Sequence, residues 1–293
     1  MAIAALLAGN MALAIGPLFV RMADVDGQIG PMASGFWRLA LAAPLLLVLA
    51  RVTRQPIGKL DRGMLGLIAF GGVFFAADLA SWHFGILQTK LANATLFGNS
   101  TSLIFPLYGF LVARAWPSRG QASALLLAAF GAVLLMGRSY DLDPRYLTGD
   151  LLCLLAGVFY TLYLIVIDRA RTRVKPWPLL ALSTLAGILP LLGFAALAGE
   201  SIWPQSWNAL IGLAIVSQVI GQGLMVFAMG HVQPLLLGLG LLTQPVVGAA
   251  IGWTIYGEKL GSVDWIGAAL IAIAIVLVRK PVEPPVQDER SNS

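Results

Sequence analysis

Apolar runs of about twenty residues follow one another along the chain, parted by short stretches where Gly, Pro and charged residues cluster. The runs predict helices near 2–20, 29–50, 64–85, 91–113, 120–137, 148–167, 177–198, 207–229, 234–256 and 263–279. At 1.5 Å per residue, about 20 apolar residues cross roughly 30 Å of hydrocarbon. Membrane strands are shorter, about 10 residues, and alternate apolar with polar. That alternation is absent here, so the expected fold is an all-α membrane protein of ten transmembrane helices. From Pro281 onward the chain reads Pro-Val-Glu-Pro-Pro and then polar residues, which predicts a disordered tail over 281–293.

Composition narrows the class further. Of 293 residues 58% are hydrophobic and only 11% charged, with a mean hydropathy of +0.84. A soluble domain carries about 25% charged residues. A nucleic-acid binder or a cytosolic enzyme is therefore excluded, despite a pI near 9.6. The basic residues instead report orientation. Thirteen fall in one set of segments (Arg51, Arg54, Lys59, Arg62, Arg114, Arg119, Arg169, Arg171, Arg173, Lys175, Arg279, Lys280, Arg290). Only five (Arg21, Lys90, Arg138, Arg145, Lys259) fall in the alternate set. Short loops with this bias put the richer set, and both termini, in the cytoplasm. The surplus of basic charge is thus topological and needs no anionic partner.

Local chemistry is sparse. A single cysteine, Cys153, allows no internal disulfide, and two histidines, His83 and His231, stand too far apart to suggest a metal site. The chain has no Walker A sequence, and Gly238-Leu239-Gly240 lacks the third glycine of a dinucleotide loop. No cofactor is expected. The apolar start from Met1 to Ala14 has no Lys or Arg ahead of it, against a cleaved signal peptide.

Self-comparison gives the strongest signal. A shift of 139 residues lays Pro106 on Pro245, Gly109 on Gly248, Leu96 on Leu235, Leu103 on Leu242 and Ala113 on Gly252. A mid-helix proline and a small-xxx-small pair at matching distance are uncommon coincidences, and small residues let helices approach closely in lipid. The chain then divides into five-helix repeats at 1–137 and 138–280. An odd count per repeat forces the second copy to cross in the opposite sense. Inverted repeats belong to secondary transporters, which bind solute near the midplane between the halves.

The ninth run reads Leu242-Thr-Gln-Pro245-Val-Val-Gly248, followed by Tyr256-Gly257-Glu258-Lys259-Leu260. With five plus five helices, this resembles the EamA-type members of the drug/metabolite transporter superfamily over nearly the whole chain. The first half carries the pattern from Asn93-Ala-Thr-Leu96 through Pro106, but departs from it at Ala115-Trp-Pro-Ser118, where the glycine-glutamate is missing. Length and topology are similar to bacterial exporters of amino acids, including the aromatic amino acid branch. The resemblance implies a multi-pass protein of a bacterial inner (plasma) membrane and a structural or gating role for Glu258 and Lys259.

Charges inside a membrane cost roughly 2.5–3.5 kcal/mol each and face the bundle interior. Only Arg38 and Asp78 stand well inside the expected spans, about 13 Å and 11 Å below the outer boundary by helical rise. They read either as an ion pair stapling the second and third helices or as partners for the two ends of a zwitterion. Thr95, Asn99 and Ser102 share one face of the fourth helix, Gln218 and Gln222 one face of the eighth, and Asn10 lies in the middle of the first. Amides both donate and accept, which suits a zwitterionic or neutral solute. Singly, each is also ordinary interhelical glue. Trp82, Phe97, Tyr160 and Tyr163 add aromatic faces on which an ammonium or an apolar side chain could rest. His83 is expected at the membrane interface, as are Trp203 and Trp207. The candidate substrate site is Arg38, Asp78, Trp82, Asn99, Tyr163, Gln218, Gln222, Asn10 and Thr95.

These residues point to a secondary transporter exporting neutral and aromatic amino acids and similar small metabolites by alternating access, with Pro17, Pro44, Pro106, Pro190 and Pro245 as candidate bends. A carrier of sugar phosphates would need more deep cations than Arg38. A four-helix-type proton exchanger would need a carboxylate in the first helix. An enzyme would need clustered catalytic groups. Another small metabolite or a drug cation as solute, and a non-transporting scaffold or a channel, stay open. So do coupling of Asp78 to protons, and monomer against homodimer.

Overall fold

The computed structural model describes residues 1–23, 29–89, 94, 97–137, 144–256 and 261–278. Among these every regular element is helical and no strand occurs. The order is α1 (Ala2–Ala14), α2 (Gly16–Ala23), α3 (Pro31–Val52), α4 (Arg62–Gln88), α5 (Thr101–Ala113) and α6 (Arg119–Gly137). A short 3-10 turn (Pro144–Tyr146) leads into α7 (Leu147–Ala170) and α8 (Pro176–Leu197). The chain continues through α9 (Asn208–Met229), α10 (Pro234–Leu241), α11 (Thr243–Tyr256) and α12 (Ser262–Val278). Six stretches are long and apolar enough to cross a membrane: Ala2–Val20, Pro31–Val52, Arg62–Gln88, Pro144–Ala170, Pro176–Leu197 and Asn208–Met229. Four shorter apolar helices accompany them, Thr101–Ala113, Arg119–Leu134, Pro234–Gly248 and Trp265–Val278.

Three expected helices are interrupted. The first turns at Ile15, between α1 and α2, just before Gly16-Pro17. The fourth breaks at Asn99–Ser100, where bonds from Ser102 N to Asn99 O (2.8 Å) and Leu103 N to Ser100 O (3.0 Å) tighten the turn. Gly98, Asn99 and Ser100 are poor helix formers that compete for backbone groups. Asn99 therefore does not share a continuous helical face with Ser102. The ninth breaks at Leu242, and Pro245 falls in the first turn of α11, where a missing N–H costs little. Pro44, Pro106 and Pro190 lie inside α3, α5 and α8.

Packing brings distant segments together. Helix α4 lies along both α7 and α8, α3 along α8 and α9, and α1 along α9 and α11. Helix α5 rests on α10 and α7, while α6 pairs with α12. The α4–α8 crossing depends on two glycines. A Cβ on Gly72 would come within 2.8 Å of the Gly187 backbone, and one on Gly187 within 2.9 Å of Leu39 Cδ1 and 3.1 Å of Gly72 O. Gly109 likewise lies against Pro234, whereas Gly248 faces open space, so the two glycines matched by the 139-residue shift are used differently.

The two ends of the bundle differ in charge. At one, Trp177 N donates to Gln55 Oε1 (3.3 Å) and Arg173 pairs with Asp61 (3.3 Å), joining two loops rich in Lys and Arg. At the other, Gly199 ends α8 with φ of +68°, a conformation that suits glycine, and turns Glu200 toward α3. The Glu200 carboxylate accepts from Met32 N (3.3 Å) and Ala33 N (2.8 Å), two orphan donors of the α3 N-terminus. Trp37 Nε1 donates to Ile202 O (2.7 Å), and Trp37, Trp203 and Trp207 cluster there. Thr89 donates to Asp150 at the same end (2.6 Å).

Candidate functional site

A guanidinium held in lipid surroundings needs partners, and Arg38 has one from the protein. It is 4% exposed, and its Nε donates to Gln218 Oε1 (3.0 Å) on α9. The other end of that amide, Gln218 Nε2, donates to Thr184 Oγ1 (3.0 Å) on α8. The guanidinium carbon lies 5.7 Å from the centroid of the Phe75 ring on α4. The Nη groups bond to no described residue, and they retain some accessible surface.

Asp78 completes the charged pair without closing it. It is half-buried, lies within Coulombic range of Arg38, and makes no hydrogen bond or ion pair with a described residue. No nitrogen of Arg38 comes within the 4.0 Å of an Asp78 oxygen that an ion pair requires. The carboxylate, too, keeps accessible surface. The staple between the second and third helices is thus not formed. The helix bounds also revise the depths: Arg38 lies about 10 Å along α3 from Pro31, and Asp78 about 15 Å along α4 from Gln88, one helical turn deeper.

An aromatic column backs the pair. Phe75 stacks on Tyr163 (4.6 Å between centroids) and Tyr163 on Tyr160 (5.8 Å). Tyr163 is fully buried, so it supports Phe75 and Tyr160 from behind. The Tyr160 hydroxyl and the Gln222 amide bond reciprocally, Tyr160 to Gln222 Oε1 (3.4 Å) and Gln222 Nε2 to Tyr160 Oη (3.2 Å). Gln218 and Gln222 both belong to Leu213–Gln222, a π-wound stretch inside α9. Such winding is rare and concentrates at functional sites. Four elements, α3, α4, α7 and α9, therefore converge on Arg38 and Asp78, with Thr184 of α8 behind them.

The remaining candidates lie elsewhere or outside view. Asn10 is buried in α1, where its Nδ2 donates to Leu6 O (2.8 Å) and Met225 Sδ (3.3 Å), and its Oδ1 accepts from Gln244 Nε2 (2.9 Å). It ties α1 to α9 and α11. Trp82 is half-buried in an apolar cluster with Ile86, Cys153 and Phe97, its Nε1 close to Gly98. Asn99 is half-buried at the break before α5. Thr95, Glu258 and Lys259 fall outside the described residues. His83, expected at the interface, is instead fully buried. Its Nδ1 lies 2.9 Å from Pro31 O and 3.0 Å from Ser34 Oγ, clamping the first turn of α3. On the same end, a groove of about 460 Å³ runs between α4, α7 and α8, lined by Ser81, Phe84, Leu152, Phe159, Phe194 and Leu197 among others. Thr184 and Gln244 went unread as site or support residues in the sequence; the signal for each was a polar pair, Ser183-Thr184 and Thr243-Gln244, inside an apolar run.

The EamA-like transporter family matches this chain over residues 1–137 and again over 147–280. The chain belongs to that family. An uncharacterized transporter of Archaeoglobus fulgidus is 25% identical over 268 residues, covering 91% of this chain and 92% of the relative. The threonine/homoserine exporter RhtA of Escherichia coli (strain K12) is 26% identical over 271 residues, 88% of each chain. A solved crystal structure superposes with a TM-score of 0.75 at 18% identity, covering 94% of this chain and 98% of that one, which establishes the likeness of fold. The arginine, the carboxylate and the amides described above therefore lie within a multi-pass membrane transporter.

Proposed function

We propose that the chain is a secondary transporter exporting amino acids, neutral and aromatic, from a bacterial cell across its inner membrane. The carrying observation is the open pair of Arg38 and Asp78. Each has a hydrogen-bonding edge that no described residue fills, and they sit too far apart to satisfy each other. An α-carboxylate fits the two Nη groups of Arg38 in a fork-like bond, and an α-ammonium fits Asp78. Desolvating either charge without a partner is expensive, so the gap favours a solute that brings both signs. Phe75 and the Tyr160–Gln222 pair then supply apolar and amide surface for the rest of the solute.

Ten spans with both termini cytoplasmic make up the proposed architecture, the four shorter apolar helices joining the six long ones. Residues 1–137 and 138–280 form its inverted halves. Two features support this reading. The family description matches twice in succession. The packing is also unchanged when each first-half span is exchanged for its counterpart: α4 on α7 answers α9 on α1, α3 on α9 answers α8 on α4, and α5 on α7 answers α11 on α1. The cavity between such halves would open alternately to each side.

The test is counterflow into proteoliposomes preloaded with unlabelled leucine, phenylalanine or threonine. Saturable uptake of labelled solute is expected. Absence of flux for all three would remove the amino-acid assignment, and uptake of an organic cation in their place would assign the site to that class.

A further inference from the structure

Gln218 uses both ends of its amide on the protein, and that sets what Arg38 can do. Gln218 Oε1 takes the Arg38 Nε–H at 3.0 Å, and Gln218 Nε2 donates to Thr184 Oγ1 at 3.0 Å. All three side chains are buried, at 4%, 0% and 0% exposed. A guanidinium has five N–H donors in a fixed fork. Fixing the Nε edge to α9 leaves the Nη edge as the only one free for a ligand. Arg38, which only donates, fixes the amide carbonyl toward itself, and the Thr184 hydroxyl, by accepting from Nε2, holds the Gln218 amide in that position. Reversing the amide would set an NH2 against a guanidinium, donor against donor.

We infer that Thr184 and Gln218 are positioning residues that aim the Arg38 guanidinium and thereby make the site selective for a carboxylate-bearing solute. This deepens the assignment above and rests on it. The relay also joins α3 to α8 and α9. In the proposed halves Arg38 belongs to the first and its two supports to the second, so the Nη edge is held in its binding direction only while the halves keep this relation. Movement of one half against the other would release the arginine and weaken its hold on the carboxylate.

The consequence is a selectivity that a general packing defect does not reproduce. The experiment is counterflow in proteoliposomes with competition by phenylalanine and by phenethylamine, which has the same ring and amine but no carboxylate. In Thr184→Val the hydroxyl is replaced by a methyl of similar size. The apparent KM for phenylalanine should rise up to about tenfold, the upper end of the scale of one lost neutral hydrogen bond. Inhibition by phenethylamine should stay within about twofold of wild type. Thr184→Ser should restore the phenylalanine KM. Gln218→Glu, whose carboxylate would pair with Arg38, should lose phenylalanine competition while still binding the amine. Equal loss for both solutes, failure of serine to rescue, or an unchanged KM in Thr184→Val would each overturn the relay. Wild-type protein that moves no amino acid at all would instead overturn the transport assignment, so the two failures are distinct.

Discussion

At the scale of single residues the molecule keeps a strong charge pair apart. Arg38 and Asp78 stood out in the sequence because little else charged occurs inside the apolar runs. Asp78→Asn and Arg38→Ala should each reduce amino-acid counterflow at least about tenfold, since each leaves one solute charge unpaired. The double variant should be no more active than either single one; recovery would make the pair structural. Residue type alone could not tell ligand contact from support. Gln218 and Tyr163 were legible as polar or aromatic groups near the right depth, yet Gln218 spends its amide on the protein and Tyr163 is buried behind Phe75. Asn10 was equally visible, and its partners Gln244 and Met225 lie more than two hundred residues away, which no local pattern reveals. His83 was misplaced because a histidine near a span end reads as interfacial, whereas its Nδ1 reaches Pro31 O and Ser34 Oγ across to α3.

At the scale of elements, run length and punctuation located the helices, with most ends within about two to four residues. The breaks at Ile15, Asn99–Ser100 and Leu242 were less legible, because continuous apolarity conceals a turn that neighbouring helices satisfy. The π-winding of Leu213–Gln222 leaves no compositional trace at all. Two element-level expectations follow. Glu200→Ala removes the acceptor for two α3 donors and should lower stability by about 1 kcal/mol. Thermal unfolding of the purified protein would register it as a reduced midpoint, and an unchanged midpoint would contradict the capping role. Gly187→Leu should be far more damaging, because even a Cβ would crowd Leu39 and Gly72 at the α4–α8 crossing. Loss of folded protein on size-exclusion chromatography checks that, with Gly193→Leu, which faces open space, as the tolerant control.

At the scale of the whole molecule, the basic loops gather at one end and the Glu200–tryptophan cluster at the other. Cys153, the single native cysteine, is buried. New cysteines at Lys59 and at Trp203, both exposed, therefore give clean reporters. In intact cells an impermeant maleimide should label the Trp203 position, and the Lys59 position only after permeabilisation. The opposite pattern would invert the proposed orientation. The proposed repeat draws on Pro106 and Pro245, whose match in the sequence does not reveal the asymmetry by which Gly109 packs on Pro234 while Gly248 faces open space.

The open gap between Arg38 and Asp78 is the centre of the account, and occupancy of that gap can be read directly. Purified protein is treated with a membrane-permeant carbodiimide, and modification of Asp78 is quantified by mass spectrometry with and without added solute. The account predicts that Asp78 reacts in the empty protein and is protected by phenylalanine or threonine, but not by N-acetylphenylalanine, which lacks the ammonium. An unreactive Asp78, or a reactivity indifferent to every amino acid, would contradict it.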